Sequence, residues 1–177
     1  MDRIACAVAG DRPTRFKFKY NETYSLCKKI KKSMLESFRE LHDKFEVQDY
    51  YVGGALGVDM WAGEIILRLK ETPGYEDIRL HIVLPFSGHD VRWDERSRKR
   101  MDFLRRHSES CIIMGQQDCR ESYLRRNCYM VDHAEYLIAV SDNAGGLGPL
   151  RIVAYAKKKK RKIIFIHPDT AKLVKES

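Results

Sequence analysis

Three glycine-bearing turns carry the residue types best suited to holding an anion. Gly53-Gly54-Ala55-Leu56-Gly57-Val58-Asp59 lies between a strand-like run, Val47 to Val52, and a run in which Val58, Trp61, Ala62, Ile65, Ile66 and Leu69 recur at helical spacing. Such a turn brings bare backbone N–H groups to a helix start, where the helix dipole favours negative charge. The spacing is neither the dinucleotide fingerprint nor the P-loop, which needs a Lys after its last Gly. A tight turn that merely starts a helix needs glycine as well. Gly10-Asp11-Arg12-Pro13 follows the strand-like Ile4 to Ala9, and Asp142-Asn143-Ala144-Gly145-Gly146 follows the strand-like Tyr136 to Ser141. In an open parallel sheet the strand ends share one edge, and ligands bind in the crevice there. The three turns together therefore point to one ligand crevice.

Side chains around these turns extend the candidate site. Arg12 can grip a phosphate or carboxylate with both arms of its guanidinium. Asp59, early in its helix, can cap that helix, bind ribose hydroxyls or serve as an acid or base. Arg126 and Asn127 lie in the first half of the helical run containing Tyr123 to Asp132. Phe86, His89 and Trp93 follow the third strand and can stack on a base or join the core. The candidate ligand-binding residues are thus Gly10, Arg12, Gly53, Gly54, Ala55, Gly57, Asp59, Arg126, Asn127, Asp142, Gly145 and Gly146. A catalytic residue does not emerge from the pattern. The histidines and cysteines lack metal-ligand spacing, so neither a metal nor a cofactor is expected.

The elements that must position these residues alternate along the chain. Strands are expected at Ile4–Ala9, Val47–Val52, Ile78–Leu84, Ser110–Met114, Tyr136–Ser141 and Ile163–Ile166. Helices are expected at about Glu22–Phe45, Gly57–Lys70, Val91–His107, Arg120–His133 and Leu150–Lys160. Strand and helix in alternation predict an α/β fold, an open, mostly parallel sheet with helices on both faces. With neither repeat nor long linker, residues 1–177 read as a single domain.

Composition narrows the class. The 44% hydrophobic and 33% charged content fit a soluble globular chain, without an apolar run of the ~20 residues a membrane helix needs. Met1-Asp2-Arg3 leads straight into a strand rather than a signal peptide, and the five cysteines read as reduced small hydrophobes, so a cytoplasmic setting is expected. The net charge of +8 suggests an anionic partner without choosing among nucleotide, nucleic acid and acidic protein. The basic run Lys157 to Lys162 reads either as a nucleic-acid patch or as cations finishing a helix at its negative dipole end. A homo-oligomer is compatible with the sequence.

These motifs match a family in order. Gly10-Asp11-Arg12-Pro13, the Gly53 to Asp59 turn, Pro85-Phe86-Ser87-Gly88-His89 with Trp93, Arg126-Asn127 through Asp132, and Asp142 with Gly145-Gly146 and Tyr155-Ala156-Lys157-Lys158 resemble the YpsA-like branch of the SLOG superfamily. The resemblance spans about Ile4 to Pro168 and implies a Rossmann-like fold. It also implies three functions: sensing of nucleotide-derived signals such as ADP-ribose derivatives, single-stranded DNA binding as in DprA, and base release from nucleoside 5′-monophosphates as in the lonely-guy enzymes. The chain departs from the last group. Arg126-Asn127 stands where those enzymes carry Arg-Lys, Pro149 replaces the Thr of their glycine loop, and Arg151 and Ile152 occupy the positions of their catalytic glutamates. Glycosidic cleavage passes through an oxocarbenium-like state that a carboxylate stabilises, so these replacements speak against it. The expected function is binding or sensing of a nucleotide or nucleotide-derived ligand, with the N-glycosidase and single-stranded DNA binding as alternatives and nucleic acid as the weaker partner.

Overall fold

The structure is a computed structural model that describes residues 2–142 and 149–176, without the side chains of Pro149 and Leu150. Seven strands form one sheet: β1 (Ile4–Gly10), β2 (Val47–Val52), β3 (Arg79–Phe86), β4 (Ser110–Gly115), β5 (Tyr136–Val140), β6 (Lys162–Ile166) and β7 (Leu173–Glu176). Their spatial order is β4-β3-β2-β1-β5-β6-β7, with every pair parallel except the antiparallel β6–β7. The α/β expectation is met, and β7 is an addition. Its exposed run offered no buried-strand pattern, and pairing of Ile166 with Leu173 and Ile163 with Glu176 makes it a strand.

Five helices cover the two faces: α1 (Ser25–Phe45), α2 (Val58–Lys70), α3 (Glu95–His107), α4 (Arg120–Asp132) and α5 (Pro149–Lys158). The period-2 alternation of the strands sorts the core. Cys6, Val8, Tyr50, Val52, Ile82 and Leu84 point to the side on which α1, α2 and α3 bury Ile30, Met34, Phe38, Ile66, Met101 and Leu104. Ala5, Ala7, Ala9, Leu137 and Ala139 point to the other side, where α4 and α5 bury Met130, Val131, Ile152, Val153 and Ala156.

Two helices start later than their apolar pattern predicts. For α3, Asp94 accepts the Ser97 N–H at 3.0 Å and its hydroxyl at 2.7 Å, so the cap sits four residues into the expected helix. For α1, Phe16 and Phe18 pack on Trp61 through the preceding turns, and Asn21 accepts the Thr23 N–H, so the chain turns before Ser25. A short 3-10 turn at Pro13–Arg15 carries the chain out of β1.

The order places β1 between β2, from the first half of the chain, and β5, from the second. Connections leave β1 and β5 toward opposite faces, and a crevice opens above their C-terminal ends. The starts of α2, α4 and α5 lie along that same edge.

Candidate functional site

A cavity of about 430 Å3 occupies this crevice. Its floor is apolar, from Val8 and Ala9 of β1, Met130 of α4 and Ile152 of α5. Gly10, Asp11 and Arg12 form one wall, Gly53, Ala55 and Asp59 another, and Arg120, Tyr123, Leu124, Arg126 and Asn127 come down one side of α4. Residues 120, 123, 124 and 127 share a helix face because they are three or four positions apart. Arg151 closes the mouth from α5.

The deepest polar group is Asp59, 8% exposed. Its carboxylate accepts the N–H of Ala55 at 3.1 Å. Burial pushes this carboxyl above its ordinary value; Arg126, the backbone at Ala55 and Gly53, and Arg12 pull the other way. Arg126 donates from Nη1 to the Gly53 carbonyl at 2.6 Å and from Nε to Asn127 at 2.7 Å. Burial also lowers the pKa of its guanidinium, against the pull of Asp59. The glycine turn therefore already holds an anion, the protein's own. Gly53 is glycine because a Cβ there would fall 2.8 Å from the Asp59 carboxylate and into Arg126.

Nearer the surface, the guanidiniums of Arg12 and Arg126 lie 5.9 and 5.7 Å from the Tyr123 ring centroid. Arg15 spans the ends of β1 and β5, 2.5 Å from Asp142 and 4.0 Å from Asp11. Burial raises the Asp11 carboxyl; Arg15 opposes this and Asp142 adds to it. Arg12, Arg120 and Arg151 line the cavity, and among the described residues none of them makes an ion pair or a side-chain hydrogen bond.

Of the residues singled out in the sequence, Gly10, Arg12, Gly53, Ala55, Asp59, Arg126 and Asn127 line the cavity together. Gly54 and Gly57 lie beneath it. Gly54 has φ +73, and a Cβ there would strike Leu84 of the core rather than open space. Gly57 caps α2 at φ +84. Asp142 sits beside the cavity through Arg15. Gly145 and Gly146 lie outside the described residues. His89 is buried, with Nε2 2.8 Å from the Gly54 carbonyl and its ring edge-on to Trp93, so it braces the turn. Arg120, Tyr123 and Arg151 are site residues that the sequence reading did not select. Arg151 entered the sequence reading only as the replacement of a glutamate. The signal that could have found Arg120 and Tyr123 is their spacing with Asn127 on one face of α4. Among the described residues no group of three His, Cys, Asp or Glu side chains could hold a metal, and no helix is long and apolar enough to cross a membrane.

The YpsA family model, described as the YspA SLOG family, matches residues 6–171. A UPF0398 protein of Staphylococcus saprophyticus is 24% identical over 100 residues, covering 55% of this chain and 52% of that protein. One of Bacillus cereus is 27% identical over 110 residues, covering 61% and 59%. The matched region thus spans little more than half the length of these curated relatives. DNA processing protein A from Streptococcus pneumoniae superposes with a TM-score of 0.61 at 18% identity, over 93% of this chain and 50% of that one. The Helicobacter pylori protein, described for its single-stranded DNA binding mode, gives 0.59 at 19%, over 93% and 65%. At these identities the likeness shows the fold alone, an α/β sheet.

Proposed function

The chain belongs to the YspA SLOG family, and from that premise we propose that it binds or senses a nucleotide or nucleotide-derived ligand in the crevice between β1 and β5. The observation that carries this reading is the set of guanidiniums of Arg12, Arg120 and Arg151, none of which makes an ion pair or side-chain hydrogen bond among the described residues, around one cavity of about 430 Å3. Such cavities suit small ligands, and guanidiniums suit phosphate oxygens. The apolar floor of Val8, Ala9, Met130 and Ile152 accommodates a ring, and Asn127 supplies hydrogen bonds. Because Asp59 takes the N–H of Ala55, side chains rather than the glycine turn alone would read the phosphate.

A reaction has less support. Arg151 stands at the mouth where the related hydrolases place a carboxylate, and Asp59 is tied down by a backbone donor. Single-stranded DNA binding is the second reading, favoured by the fold shared with the two DprA structures and by the net charge of +8. A strand that neutralises many phosphates releases many counterions, so its affinity falls steeply with salt; a ligand held by a few guanidiniums has a shallow slope.

A thermal-shift screen against nucleoside monophosphates, ADP-ribose and short oligonucleotides tests the reading, because a ligand of the folded state raises the melting temperature. The expected result is stabilisation by small nucleotides that Arg12→Ala abolishes. Stabilisation by oligonucleotides alone would replace this reading with the second.

A further inference from the structure

The cations of the crevice are staged by depth, and the staging follows from α4. Arg126 sits at the inner end, bonded to the Gly53 carbonyl and beside Asp59. Arg120 sits six residues earlier, in the first turn of the same helix and exposed. At 1.5 Å per residue the two positions are about 9 Å apart along the helix axis. Arg151, in the first turn of α5, lines the same cavity, and α5 packs against α4. Arg12 stands between the levels, its guanidinium over the Tyr123 ring with that of Arg126.

The two levels differ in what they still lack. At the inner level Arg126 has the Gly53 carbonyl, Asn127 and the nearby Asp59 carboxylate, which offset its charge. At the outer level Arg120 and Arg151 have no carboxylate partner among the described residues. Asp11, the other carboxylate on the cavity wall, is drawn toward Arg15. Two guanidiniums that line one cavity without a carboxylate partner among the described residues favour an anion between them.

We propose that Arg120 and Arg151 form an outer anion subsite that takes a second phosphate, so that the preferred ligand carries a diphosphate rather than a single phosphate. This deepens the nucleotide reading and rests on it. The same chemistry could be met by the next phosphodiester of a strand, so the test includes a dinucleotide.

Calorimetric titrations of the wild-type chain with AMP, ADP and the dinucleotide pApA decide the matter, repeated on Arg120→Gln and Arg151→Gln. Glutamine keeps a polar donor on a shorter side chain and removes the charge, and unchanged circular dichroism and melting temperature would show that the variants fold. A hydrogen bond to a charged group supports an increment of about tenfold or more. ADP is therefore expected to bind about tenfold or more tighter than AMP in the wild type. Each variant should bring that ratio close to one. Equal binding of AMP and ADP by the wild type would overturn the outer subsite and leave the nucleotide reading standing. So would an ADP preference that persists in both variants. A gain seen with pApA alone would overturn the diphosphate assignment in favour of a strand. Failure of all three to bind would overturn the nucleotide reading itself, and the subsite with it.

Discussion

Two groups of arginines in this chain have opposite circumstances. On the α1–α2–α3 layer, Arg100 grips Glu22 with both arms, at 2.7 and 3.1 Å, and also holds Glu64. Nearby, Arg105 holds Asp90 at 3.0 Å and Asp102 at 2.8 Å. In the crevice, Arg12, Arg120 and Arg151 share a cavity and none of the three has a carboxylate partner among the described residues. Part of the basic run at the end of α5 belongs with the first group. Lys157 reaches Glu176 at 3.2 Å, Lys159 reaches Asp132 at 3.5 Å, and Arg161 donates to the Val131 carbonyl. A net charge of +8 cannot separate these groups. Pairing separates them: cations matched by neighbouring carboxylates hold helices together, and unmatched ones in a concave site await an anion.

The largest effect expected from disturbing this division comes from Arg126, the buried bridge between the two regimes. Arg126→Met removes the donor of the Gly53 carbonyl and leaves the Asp59 carboxyl without its cation. Leaving such buried groups unmatched costs about 1–3 kcal/mol or more. Urea unfolding should show that loss, whereas Arg12→Ala and Arg151→Ala should leave the unfolding midpoint in place. Gly54→Val should follow in size. Its φ of +73 and the crowding of Leu84 make the change a folding defect of about 1–3 kcal/mol, felt with or without ligand. If that variant were fully stable yet blind to nucleotides, the turn itself would be the binding element.

A smaller and pH-dependent effect marks the paired group. Burial works against it, but the bonds from Arg100 and Lys31 bring the Glu22 carboxyl from its ordinary 4.5 down to about 2. A depressed carboxyl stabilises the fold above its ordinary value, and that contribution is lost as pH falls toward the lowered one. Arg100→Ala should therefore be less stable than wild type at pH 6, and the gap should narrow between pH 4.5 and 2. Nucleotide affinity should not change. Smallest of all, Lys158→Gln with Lys160→Gln should move stability by less than about 0.5 kcal/mol, since both residues are exposed.

The fold was largely legible because the strands and helices keep their periods. The helical recurrence of Val58, Trp61, Ala62, Ile66 and Leu69 named the face that α2 buries. The strand β7 was not legible, since its four residues are all exposed and only the partner strand defines it. In the site, residues at strand ends could be read because topology brings strand ends together. Arg151 could not, because its place in the site depends on how α4 and α5 stand against each other, whereas Arg120 was legible only through its helical spacing with Asn127. The purpose of the glycine turn was also hidden: whether its N–H groups face a ligand or an internal carboxylate depends on the rotamer of Asp59, and here the carboxylate takes that of Ala55.

The central claim is that unpaired crevice arginines bind a phosphate-bearing nucleotide while paired surface arginines do not. The most direct test is the calorimetric affinity for ADP of three folded proteins: wild type, the Arg12→Ala/Arg151→Ala double variant, and Arg100→Ala. Two charge-assisted contacts predict a loss of about a hundredfold or more in the double variant. Arg100→Ala should bind as the wild type does. Equal affinity in the wild type and the double variant, or an equal loss in both variants, would contradict the account.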